Sequence, residues 1–251
     1  MASHLSDIGF RAETATEWEA LLRHAAELGQ RLEVPDAGAY LRWRPGAGAE
    51  VWVQADRDGS LIGLNPHFVG DGRLRFGALE LRPGEPGTLD GSLHGWVDPP
   101  ADDPHQGLYP LLVDLPDAHL AQLHLVLPSI VTLQLAAFAH ELACYQDEAA
   151  YYAAHEQGRR FAAESFFPTG PFVRPGEVER AEAVFTGRVL GAEMRINPAT
   201  GVAFHVLLVR TLGGVVLDVV ADPIVVTGEP VVGGVVLCLA WLSGRVIGTG
   251  P

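Results

Sequence analysis

The chain has 251 residues, 48% of them hydrophobic, which is enough for one large or two modest globular domains and far from the composition of a disordered segment. It contains no lysine, so all 17 basic residues are arginine and Schiff-base, P-loop and kinase-type lysine chemistry is excluded. The net charge of −14, gathered mostly before Pro175, opposes nucleic-acid and anionic-membrane partners and leaves a small molecule or a protein as the expected one.

Residues 5–12 (LSDIGFRA) read as a short first strand. In TATEWEALLRHAAELGQ, Thr14 and Glu17 have capping-box spacing, and Trp18, Leu21, Leu22, Ala25 and Leu28 recur at helical intervals. A helix over 14–30 follows. Strands are expected at 38–45, 49–56 and 60–66, with Asp58-Gly59 as a turn between the last two. Further strands are expected at 73–82, 92–98, 109–115 and 120–127. From Pro128 to His155 the apolar pattern reads as a long helix.

Residues 168–180, rich in Pro and Gly, read as a linker between an α+β domain (1–167) and an all-β domain (181–251). The first is expected to be a mixed, mainly antiparallel sheet with two main helical regions. The second carries Gly187 and Gly191 inside its long first strand, where a strand bends easily. Its strand count and glycine placement resemble an OB-fold, and imply a small coiled β-barrel. In VAFHVLLV and VVLCLAWL both alternate sets are apolar, so both faces need cover, from the first domain or from a second copy in a homodimer.

The strand–helix–three-strand order of 5–66 resembles one module of the vicinal oxygen chelate family. Metalloenzymes of that family carry a histidine on the first strand and a glutamate on the last; the comparable positions here hold Asp7 and Gln54, with His4 about three residues early. The resemblance implies the module's shape and, as the alternative function, a metal-dependent enzyme. The phrases SDIGF, NPHF, FAAESFFPTG and LSGRV resemble those of a bacterial family to which no activity attaches, and imply none.

Chemistry-bearing clusters are few. On a helix, His140 and Cys144 of HELAC would lie one turn apart, the spacing of two metal ligands, with Glu141 beside them and Glu164 as a third ligand. The apolar surroundings favour a buried core helix instead. His119 and His124 are five apart and share no face on helix or strand. His205 sits in an apolar strand and reads as a core or interface histidine. Asp98, Asp102 and Asp103 lie in a proline-rich loop of solvated character. No G-x-S-x-G elbow occurs, and Gly46 and Gly48 lack the third glycine of a dinucleotide fingerprint, so no cofactor is expected.

One face remains. If Leu41, Trp43, Val51 and Val53 pack beneath the first helix, alternation sends Tyr40, Arg42, Trp52 and Gln54 to the other side, where His94 and Trp96 of a later strand are expected to join them. The sequence therefore points to a non-catalytic binding or interaction protein using that face. Two distant cysteines, Cys144 and Cys238, and the absence of a basic–apolar leader fit a reduced cytoplasm.

Overall fold

The capping box forms as its spacing requires. Glu17 N–H donates to Thr14 Oγ1 (3.2 Å), Thr14 N–H donates to Glu17 Oε2 (3.0 Å), and α1 spans Ala15–Leu28. These features belong to a computed structural model that describes residues 4–156, 161–169 and 179–249. Directly after α1 come β1 (Gln30–Val34), β2 (Gly38–Gly46), β3 (Ala49–Ala55) and β4 (Leu61–Phe68), which pair in that order as a four-stranded antiparallel meander. Leu41, Trp43, Val51 and Val53 face α1 and pack with Leu22 and Ala25.

Residues 5–12 are not a strand. Ser6–Ile8 form a single 3-10 turn ended by Gly9 in the left-handed region, and Asp7 turns inward to accept from Asp222 N–H (2.9 Å). The first strand expected from the chelate-module resemblance is therefore missing.

All remaining strands belong to one ten-stranded sheet: β5 (Arg73–Pro83), β6 (Gly91–Val97), β7 (Pro110–Asp114), β8 (Ser129–Tyr145), β9 (Ser165–Pro168), β10 (Glu182–Ile196), β11 (Ala203–Arg210), β12 (Val216–Ala221), β13 (Val226–Thr227) and β14 (Val235–Thr249). Its spine is the long antiparallel pair β8/β14, in register from Val131↔Thr249 to Tyr145↔Val235. On its other edge β8 takes β5, then β12, then β13. The other edge of β14 takes β10 and then, at Ser243↔Asp114, β7. Because β10 pairs β11 and β11 pairs β12, the hydrogen bonding returns to β8 and closes a ring. A second ring runs β8, β5, β6, β7, β14. Both share the spine.

Three expectations change here. The region 128–155 is mainly strand β8, with only a short helix α3 (Glu148–Ala154) beyond it. Its pattern misled because both faces are buried. Val131, Leu133, Leu135, Ala137 and Ala139 point into the ring core, whereas Ala136 and Phe138 pack under the meander. An extra residue at His140, where the register with β14 shifts between Leu239 and Ala240, changes parity, so Leu142 takes up the inward side.

Residues 120–127 are not a strand. They hold the end of a short helix α2 (Ala118–Gln122) and the segment after it; Leu, Ala and Gln favour helix, and the β-branched run starts only at Ile130.

The ring through 181–251 borrows β8 from the N-terminal part, and one apolar core runs from Leu93 and Val113 through Leu135 to Phe185, Leu207 and Val219. Residues 168–180 thus do not separate two sheets, and the ring core covers one face of the C-terminal strands from within the same chain, while Leu208, Leu237 and Leu239 on the other face stay half-buried. Most of the expected linker, 170–178, lies outside the described residues. At 51% strand and 15% helix, with mixed parallel and antiparallel pairings, the chain is coarsely α+β. No described helix is long and apolar enough to cross a membrane.

Candidate functional site

Alternation along β2 and β3 gives Tyr40, Arg42, Trp52 and Gln54 a common face, turned toward β14, α2 and the loop before β6. Tyr40 and Gln54 are consumed in holding that loop. Tyr40 Oη–H donates to Leu89 O (2.6 Å) and accepts from His119 N–H (3.2 Å). Gln54 accepts from Leu89 N–H (2.7 Å) and donates to Asp90 Oδ1 (2.6 Å). Burial drives the Tyr40 hydroxyl upward, beyond its ordinary range. Both side chains are buried, Tyr40 at 0% and Gln54 at 1% exposure.

Trp52 and Arg42 have another setting. Two guanidinium groups lie over the fully buried Trp52 ring: Arg42 Cζ is 5.2 Å from its centroid and Arg245 Cζ, from β14, is 4.9 Å. The indole N–H donates to Glu50 Oε2 (2.9 Å). Glu50 is 1% exposed and also accepts from Arg44 Nε. Arg245 donates to Asp117 Oδ2 (2.8 Å) and stands 3.9 Å from Glu50. Burial pushes the Glu50 carboxyl upward, but His67, Arg245, Arg44 and the Trp52 indole outweigh it and hold the group below its ordinary value. For Asp117 burial dominates and its carboxyl is raised.

Beside this cluster a cavity of about 340 Å3 is lined by Arg42, Trp52, Asp117, Arg245 and an apolar wall that includes Leu32, Leu120, Leu125 and Val246. Arg42 hydrogen-bonds only to the neutral Gln30 (2.8 Å), its Nε is buried without an acceptor, and no ion pair to a described residue neutralises it. Desolvation, together with Arg44 and Arg245, lowers its pKa.

A buried polar array continues the seam between the two sheets. Gln134 Nε2 donates to Phe68 O (3.0 Å), which turns its Oε1 toward His67 Nε2 (2.7 Å). His67 Nε2 therefore carries the hydrogen, and Nδ1 accepts from Ser243 Oγ (2.8 Å). Burial lowers the His67 pKa to about 4, so the ring is neutral at pH 7. This order matches a base-activated serine, but Ser243 and His67 both have 0% exposure. Ser243 also borders the wider cleft beyond the array. The array ties the meander to the spine.

Past it lies a wider cleft of about 610 Å3 whose lining includes His4, Asn65, Asp90, Asp114 and Trp241. His4 stacks on Trp241 at 4.3 Å, and burial followed by His140 lowers its pKa to about 4. Burial raises Asp114 to about 6 against the pull of its bond from Trp241 Nε1 (2.6 Å).

The other sequence candidates fall elsewhere. His94 and Trp96 are on β6 in the ten-stranded sheet and do not join Trp52; burial lowers the His94 pKa. His140 and Cys144 lie on a strand, where four residues span roughly 13 Å. The helical spacing that made them metal ligands is absent. Glu141 pairs across to Leu239, and Glu164 binds Arg210 (2.9 Å) and Arg188 (3.5 Å). Among the described residues, no three His, Cys, Asp or Glu side chains gather as metal ligands would. Asp103 caps its own loop through His105 N–H (2.9 Å), and His205 is half-buried in β11.

Sequence reasoning missed Glu50, Asp117 and Arg245. Two of the three carried a signal: a charged residue set inside an apolar strand, Glu50 in AEVWV and Arg245 in LSGRVI. Comparison with known proteins adds nothing to the geometry: no protein-family model, curated protein or solved structure matches the chain.

Proposed function

We propose that the chain is a non-catalytic binding protein that receives a small molecule in the Trp52 cavity. The observation that carries this reading is the cavity itself: two guanidinium groups laid over the buried Trp52 ring, an apolar wall, and in Arg42 a buried Nε without an acceptor. Pockets for small molecules combine a mostly apolar lining with a few directional polar groups, and this one does.

The strand ring of 182–249, completed by β8, supports a coiled barrel of OB-like kind. Here it acts as a platform, since the charge of −14 opposes a nucleic-acid ligand.

The test is a ligand-detected NMR screen of small fragments against the chain and against Ala121→Trp, which fills the cavity from α2. Fragments that bind the unaltered chain and lose binding in the variant are expected. Finding none, or finding hits indifferent to Ala121→Trp, would contradict the proposal.

A further inference from the structure

Within the cavity just proposed, the geometry points to one ligand class: an apolar molecule that ends in a single carboxylate. This inference rests on that cavity being a binding site and adds the chemistry of its occupant.

The first argument is local charge. Around Trp52 stand three guanidinium groups, Arg42, Arg44 and Arg245, against two carboxylates, Glu50 and Asp117. Arg44 and Arg245 each direct their Nε–H to one of those carboxylates. Arg42 has Gln30 alone and is left as the surplus cation. Arg11, Arg57, Arg73 and Arg75 likewise form no ion pair with a described residue, but Arg42 alone among the described arginines has a buried guanidinium nitrogen without an acceptor.

The second argument is geometry. The Arg42 guanidinium lies over the Trp52 ring, 5.2 Å from its centroid, and a planar guanidinium fork suits a carboxylate better than a point charge does. One negative charge balances the cluster; a second would meet Asp117 and Glu50. The third argument is size and polarity. At about 30 Å3 for each water-sized group, a cavity of about 340 Å3 holds about eleven non-hydrogen atoms. Leu32, Leu120, Leu125 and Val246 offer those atoms an apolar surface. Octanoate is of that size and form.

The experiment titrates the full chain calorimetrically with octanoate, 1-octanol and octylammonium. Octanoate is expected to bind at least tenfold more tightly than 1-octanol, and octylammonium more weakly than both. Arg42→Gln is expected to bring octanoate down to the level of 1-octanol while leaving 1-octanol unchanged, which also shows that the variant is folded. Arg42→Lys, which keeps the charge and loses the fork, should fall between.

If 1-octanol binds as tightly as octanoate, the cavity stands and the carboxylate inference falls. The inference also falls if octanoate binding survives Arg42→Gln. If none of the three binds, the cavity reading falls with it.

Discussion

Changing Glu50 to Gln probes the seam with almost no change of shape. The carboxylate has two oxygens at work: Oε1 takes the Arg44 Nε–H, and Oε2 takes the Trp52 indole N–H with Arg245 3.9 Å away. Glutamine offers one oxygen and one NH2, so one of these donors must face another donor. A buried donor left unmet costs about 1–3 kcal/mol. Losing the charge on the remaining bond costs about 1 kcal/mol more, since bonds to ions exceed neutral ones by roughly that amount. The Arg44 side chain is 53% exposed, so its ion pair adds little, at most about 1 kcal/mol. The expected loss is about 2–5 kcal/mol, read from urea unfolding at pH 7 with an unchanged m-value. Glu33→Gln, which breaks the exposed pair with Arg31, serves as control and should cost under about 0.5 kcal/mol. The sign with pH follows from the lowered Glu50 pKa. Its ionised form stabilises the fold above the ordinary value of 4.5, and that contribution disappears as pH falls through the lower folded value, so variant and parent should converge in acid. A loss at pH 7 no larger than that of Glu33→Gln would refute the reasoning.

Three further outcomes are expected. Asp7, raised by burial from 3.8 to about 8, weakens the fold as pH climbs between those values, because the unfolded chain releases the proton first. Asp7→Asn keeps the Oδ1 acceptor for Asp222, so its advantage over the parent should grow by about 1.4 kcal/mol per pH unit across that window in denaturation curves at several pH values; a constant difference would contradict this. Gly72→Ala would put a Cβ 2.7 Å from Asp218 N and from Leu217 Cα, both backbone atoms that cannot swing away, and should lower the melting temperature by several degrees; an unchanged midpoint would show the β5–β12 corner to be looser than described. Cys238 is fully buried and burial pushes the Cys144 thiol up to about 11, so neither should react with Ellman's reagent at pH 7 before denaturant is added.

How far the sequence could be read depended on local punctuation and residue type. Helix α1 was legible from Leu22 and Ala25 recurring on one side, and strands such as β3, buried on both faces, from their β-branched and aromatic residues and from turns such as Asp58-Gly59. Strand β8 was not. With the ring core on one side and the meander on the other, its apolar residues lose the period of two, and Ala-rich AAFA reads as helix. The same feature hid the joining of the two halves, since nothing in 129–145 announces that β5, β12 and β14 share it.

Half of the candidate site followed from alternation alone: Tyr40, Arg42, Trp52 and Gln54 do share a face. The other half comes from β14 and the start of α2, with Arg245 nearly two hundred residues and Asp117 about sixty-five residues beyond Trp52 in the chain. No local pattern links Arg245 or Asp117 to Trp52. His94 and Trp96 were drawn in by their alternation on one strand, which says nothing about which sheet that strand joins.

The central claim is that the seam between meander and spine leaves a cavity at Trp52 that takes a ligand. The most direct measurement follows the indole N–H signals of the chain's five tryptophans by NMR while octanoate or a screening hit is added. The account predicts that the Trp52 signal, which reports the bond to Glu50, moves saturably while that of Trp18 on the outer face of α1 stays in place. A titration in which Trp18 or Trp96 moves and Trp52 does not would contradict it.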